Sequence, residues 1–178
     1  PDSVTRDSIA RAATRQFAKH GIADTTMRDI VQEAGISLGT INYHFGSKLG
    51  LAYEVFERVV WEACEERNAA YDALEAAAGD KPVAVAEIFR ALFKPYVEGD
   101  EDRRQLLIYI LQQRHLSRLD LAHDMGRKYL DQVAVRTLGL LGKACPHLSA
   151  RDLTWRYSFC VVGVLSAVAD GEVSNRIK

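Results

Sequence analysis

The segment from Thr26 to Phe45 concentrates groups able to read another molecule. Ser37, Thr40, Asn42, Tyr43 and His44 offer hydroxyl, amide, phenol and imidazole groups within eight residues, with Leu38 and Gly39 between them. No nucleophile, base and carboxylate are arranged here for bond breaking. The pattern is one of recognition: short hydrogen-bonding side chains on a single helical turn or two, suited to a DNA major groove about 12 Å wide. Gly39 lets the backbone approach closely. Asn42 has the donor–acceptor pair that meets adenine bidentately. Leu38 either touches a thymine methyl or is an ordinary exposed leucine. Arg28 either reaches a groove edge or phosphate, or lies on a solvated face.

Such groups need a scaffold, and the flanking residues supply one. A helix from Thr26 buries Ile30, Val31 and Ala34 and ends at Gly35, where a positive φ makes a tight turn at no steric cost. Ile36 fills the space between two helices. A short helix over 37–44 is then anchored from beneath by Ile41 and Phe45. Thr26, at a helix N-terminus, is placed to bind phosphate. Upstream, 5–20 reads as a helix with Ile9, Ala13 and Phe17 on one face, stopped by Gly21. Downstream, Ser47 caps a long helix over 48–77 with Leu51, Val55, Val59 and Ala63 inward.

With these elements in place, residues 5–51 resemble the DNA-binding domain of the TetR family of bacterial regulators. The resemblance is carried by Phe17-x-x-x-Gly21, Thr26, Ile30-x-x-x-Ala34-Gly35-Ile36-Ser37, Gly39-Thr40-Ile41, Tyr43-His44-Phe45 and Ser47-Lys48. It implies that Tyr43, His44 and Lys48 contact phosphates, and that the second half is a variable helical domain binding a small-molecule effector. It also implies a homodimer joined through the last two long helices, with repression as the commoner mode. Val31 stands where the family usually has Ala. Asn42 stands where an aromatic is frequent, so base preference there is not carried over.

The rest of the chain reads as helices. Pro82 suits the first turn of a fifth helix over 83–97, and Asp102 a cap for a sixth over 103–115. A long segment over 118–144 follows. Ser149, with Asp152 three residues on, opens a last helix over 149–170. The expected fold is all-α, about nine helices in total. A DNA-binding domain over 1–47 precedes an effector-binding and dimerisation domain over 48–178.

The last helix is apolar nearly all round, so it must be covered on more than one side. Leu138, Leu141, Tyr157, Val161, Val164, Leu165 and Val168 are therefore candidates for a subunit interface. Two-fold pairing would set two recognition helices on palindromic half-sites about 34–36 Å apart. Phe89, Phe93, Tyr96, Tyr109, Gln113, Trp155 and Phe159 are candidate lining for an effector pocket, aromatic with a few polar handles. Taken singly, each is also explained as ordinary core. His115 and His123 are weaker candidates of the same kind.

Composition decides little. The 178 residues carry a net charge of −1, and residues 1–50 hold six Lys/Arg against five Asp/Glu, so the case for a nucleic-acid partner rests on motif geometry. Cys64, Cys145 and Cys160 lack metal-ligand or redox spacing, and no metal or other cofactor is expected. No signal peptide or membrane-length apolar run is evident, which points to the cytoplasm; a start at Pro1 suggests missing leading residues. Two rival readings remain. A small helical enzyme would need a triad, a Gly-rich phosphate loop or an HExxH motif, none of which is evident. An interaction protein with a vestigial helix-turn-helix is disfavoured by intact Thr26, Tyr43, His44 and Lys48.

Overall fold

Local capping chemistry sets the helix boundaries in the N-terminal half. The computed structural model describes the backbone of residues 2–116 and 120–169, and the side chains of 5–114 and 120–168. Within them the chain is helical: α1 (Asp2–Asp24), α2 (Met27–Ala34), α3 (Leu38–Phe45), α4 (Lys48–Ala78), α5 (Val85–Val97), α6 (Glu101–Leu116), α7 (Asp120–Met125), a π-helical turn (Gly126–Leu130), α8 (Asp131–Ala144) and α9 (Ala150–Ala169). The π turn joins α7 to α8 without a break, so these segments make eight helical runs, close to the nine expected. The start of the 118–144 segment, and His115, fall outside the described side chains.

The chain divides into two compact units, one of residues 1–60 with 99–125, the other of 61–98 with 126–178. The first therefore takes α6 and α7 in addition to α1–α3 and the start of α4.

In the first unit, α1 carries Ile9, Ala13 and Phe17 inward, all fully buried. Gly21 has φ 73° and ψ 172°, so the helix kinks where its stop was expected. Gly21 also faces the ring of Tyr109 on α6, which a Cβ there would crowd. The Tyr109 hydroxyl accepts the Ile22 N–H at 3.3 Å, and its ring packs edge-on against Phe56, which in turn meets Phe17. Tyr109 thus ties α6 to the end of α1 within this unit.

In the second unit, the inner face of α4 presents Ala63, Cys64, Arg67 and Tyr71, all buried. Tyr71 exchanges a 2.9 Å hydrogen bond with Thr137 on α8. At the surface Arg136 donates to the Asn68 carbonyl, Asp72 and Glu75, and Lys143 reaches the same Glu75. These cations hold the Glu75 carboxyl below its usual range.

Two boundaries differ from expectation. α5 begins at Val85 behind Ala84, which has no side-chain cap, so Pro82 lies in the preceding loop. α6 begins at Glu101, and Asp100 rather than Asp102 accepts the Arg103 N–H at 2.9 Å. The Ser149 cap on α9 is as expected, with the Asp152 N–H donating to its hydroxyl at 3.1 Å.

Candidate nucleic-acid interface

α2 begins with a reciprocal cap. The Asp29 N–H donates to Thr26 Oγ1 at 3.3 Å, while the Thr26 N–H and hydroxyl both donate to Asp29 Oδ2 at 2.8 and 2.7 Å. These hydrogen bonds hold the Asp29 carboxyl below its usual range. A depressed carboxylate stabilises the fold above its unfolded pKa, and the contribution is lost as pH falls through the lowered folded value. Thr26→Ala is expected to cost about 1 kcal/mol in urea unfolding at pH 7. It should also flatten the fall in stability below pH 4; an unchanged acid limb would show that the Thr26–Asp29 pair contributes nothing there.

The turn follows from Gly35, at φ 66° and ψ 33°, the left-handed region that glycine enters without strain. Its N–H and that of Ile36 both donate to the Val31 carbonyl, closing α2. Ser37 then caps α3 by accepting the Thr40 N–H at 3.2 Å. On α3, Ile41 and Phe45 are buried, fixing which face turns outward. The ion pair of Arg15 with Glu33, joined by Gln16, ties α1 to α2. Partial burial acts against the Glu33 charge, yet the bonds from Arg15 and Gln16 keep its carboxyl below the usual range.

The outward face carries most of the groups expected there. Ser37, Leu38, Gly39, Asn42 and Tyr43 are exposed, as are Thr26 and Arg28 on α2; Thr40 and His44 are half-buried. Tyr43 is 80% exposed and lies edge-on to His44. An exposed tyrosine of that degree covers nothing of its own chain, so its ring and hydroxyl face solvent.

Two of the expected phosphate contacts are engaged within the chain. The donors of Thr26 are spent on Asp29, as above. Lys48 Nζ donates to the carbonyls of Ile22, Ala23 and Thr25 at 2.8, 3.3 and 2.9 Å, which uses all three of its N–H groups. Lys48 thus closes the carbonyl end of α1, and a phosphate would have to displace one of those bonds. Gly50, unremarked in the sequence, matters as well: a Cβ there would collide with the Phe45 carbonyl.

The other candidate residues are dispersed. Phe89 and Phe93 stack at 5.8 Å and line an open groove of about 670 Å³ between α4 and α5. Tyr96 is buried in the second unit, whereas Tyr109 and Gln113 belong to the first. Trp155 and Phe159 stack on each other at the surface of α9, 58% and 71% exposed. Of the interface candidates, Leu141 and Leu165 are buried within the chain; Leu138, Tyr157, Val161, Val164 and Val168 are half-buried. The outer stripe of α9 is instead Trp155, Phe159 and Val162.

Comparison with known proteins agrees with this geometry. The family model for bacterial regulatory proteins of the tetR family matches residues 9–55, and that for the tetracyclin repressor-like C-terminal domain matches residues 90–177. Together they span most of the chain, which belongs to the TetR family. The transcriptional regulator TtgR of Pseudomonas putida is 42% identical over 53 residues, 30% of this chain and 25% of that protein. BetI of Agrobacterium fabrum is 31% identical over 124 residues, 61% of this chain and 59% of its own length. The alignments therefore span a quarter to three-fifths of these relatives. The fatty acid degradation regulator FadR of Bacillus halodurans shares the fold, with a TM-score of 0.60 at 19% identity, covering 97% of this chain and 89% of that one.

Proposed function

We propose that the chain is a transcriptional repressor that binds palindromic operator DNA as a homodimer in the cytoplasm and is released by a small-molecule effector. The observation that carries this reading is the pairing on α3 of a buried underside, Ile41 and Phe45, with an exposed face of Ser37, Leu38, Gly39, Asn42 and Tyr43. A helix of eight residues with that division fits the major groove and buries too little surface alone. The uncovered apolar stripe of α9 supports pairing of two chains through α8 and α9.

In this mechanism, the N-terminal half of α3 meets base edges, with Asn42 placed to pair an adenine. Arg28 and Tyr43 engage the flanking phosphates. The effector binds one conformation of the helical C-terminal half more tightly and moves the recognition helices off register. Its effect is bounded by the difference in its affinity for the two states.

Selection of bound fragments from random DNA, followed by titration across salt concentration, tests this. Affinity for the selected duplex should fall steeply with salt through counterion release, and Arg28→Ala, which removes one phosphate contact from each protomer of the dimer, should reduce the slope of log K against log salt by about 2. Lys48→Met should leave the slope unchanged while lowering stability by about 1.5–3 kcal/mol, as its bonds to the α1 carbonyls are lost. No enriched sequence from the selection, or binding indifferent to salt, would refute the reading.

A further inference from the structure

Arg67 lies in the interior of the second unit with only 1% of its surface exposed. Its Nε donates to the Leu92 carbonyl at 2.8 Å, and its guanidinium carbon stands 4.6 Å from the centre of the Tyr96 ring. Both terminal nitrogens, Nη1 and Nη2, are buried with no hydrogen-bond partner. A guanidinium does not shed its proton to escape burial. Four N–H groups and a fixed positive charge are thus held away from water, a costly arrangement unless an anion completes it.

The neighbours do not supply that anion. Burial pushes the Cys64 thiol up, only partly offset by Arg67 itself, so it stays protonated at neutral pH. Burial likewise pushes up the Tyr71 phenol, whose hydroxyl is engaged with Thr137. Of the acidic groups on the same helix, Asp72 and Glu75 are engaged with Arg136 and Lys143, and Glu65 and Glu66, which adjoin Arg67 in sequence, are exposed.

We propose that the paired Nη1 and Nη2 groups of Arg67 bind the carboxylate of a small organic acid in a bidentate fork, with Tyr96 stacked on the guanidinium. Two parallel N–H groups match a carboxylate in spacing and plane, and this geometry separates an acid from its neutral amide. The proposal rests on the effector reading above and gives the effector a chemical class: an organic anion whose carboxylate enters the second unit.

The test uses the full chain without DNA. Thermal shift and calorimetric titration are run with acetate, hexanoate and benzoate, with the matched amides hexanamide and benzamide, and with inorganic phosphate. At least one organic acid is expected to bind, and at least tenfold more tightly than its amide. Arg67→Met should fold with an unchanged or higher melting temperature, since it removes an unpaired buried charge, and lose at least tenfold in affinity for that acid. Arg67→Lys, a charge without the fork, should fall between. No response to any acid, equal binding of acid and amide, equal binding of phosphate, or full retention by Arg67→Met would each overturn the proposal. Release of the selected duplex is measured separately. Acid binding without release leaves the Arg67 site standing and removes the effector reading; release by a neutral compound, undiminished in Arg67→Met, does the reverse.

Discussion

Phe159→Glu is expected to yield a monomer and to weaken binding to the selected duplex by about 10²–10⁴-fold, the advantage that joining two binding modules confers. Trp155, Phe159 and Val162 recur at i, i+4 and i+7 along α9, at 58%, 71% and 50% exposure. The opposite face, with Tyr157, Val161, Val164 and Leu165, already packs inward. A helix apolar on both faces gains nothing from water on the second one. Burying each large side chain of the stripe against a second copy contributes about 1.5–3 kcal/mol. A glutamate in its middle would have to be desolvated opposite its own symmetry mate. Because Phe159 is mostly exposed, the substitution removes little from the fold of the single chain and its circular dichroism should stay near wild type, while its melting temperature should drop by the share that association contributes and lose its dependence on concentration. Sedimentation velocity and duplex titration read the two effects. A dimer that survives Phe159→Glu with full affinity would place the contact elsewhere.

The parts of the molecule that were legible in its sequence are those governed by local chemistry. Thr26, Ser37, Ser47 and Ser149 all cap helices by accepting a backbone N–H three residues on, and that preference belongs to the side chain itself. Gly21 and Gly35 adopt positive φ where stops were expected. The inward faces of α1 and α4 follow the 3.6-residue period. In the string Gly99-Asp100-Glu101-Asp102 two aspartates compete as caps, and composition does not rank them. Pro82 is compatible with a first turn, but an equally ordinary loop holds it.

Long-range contacts leave no such local mark. Tyr109 has the composition of a pocket residue, yet its partner is the backbone at Gly21 and Ile22, nearly ninety positions away. Aromatic character alone does not say which face of α9 Trp155 and Phe159 occupy; the phase of the helix places them opposite the half-buried Leu153, Tyr157, Val161 and Val164. Arg67 follows Glu65 and Glu66 on a long helix, a context that reads as a solvated face. Only its position over Tyr96, against Leu92, reveals a buried cation. Resemblance points Lys48 at a phosphate, whereas its engagement with three carbonyls depends on how α1 ends beside α4.

Gly50→Ala should destabilise the first unit by about 1–3 kcal/mol, the usual cost of forcing atoms into filled space. A methyl there would strike the carbonyl oxygen of Phe45, and a backbone atom has no rotamer in which to move aside. Phe45 is the last residue of α3 and its buried anchor, so relief requires shifting the recognition helix relative to the first turn of α4. Loss of duplex binding should accompany the loss of stability. Gly39→Ala separates the two effects. Gly39 lies in α3 with ordinary helical φ, and its nearest neighbour is the Ser37 hydroxyl oxygen, 3.6 Å from a Cβ placed there. Alanine should therefore stabilise the helix by up to about 1 kcal/mol, while its methyl stands on the face offered to the groove. Urea unfolding and duplex titration of both variants give four numbers. If Gly50→Ala unfolds like wild type, the α3–α4 junction has slack that its close packing denies. If Gly39→Ala binds the duplex unchanged, the exposed face of α3 is not the face that meets DNA.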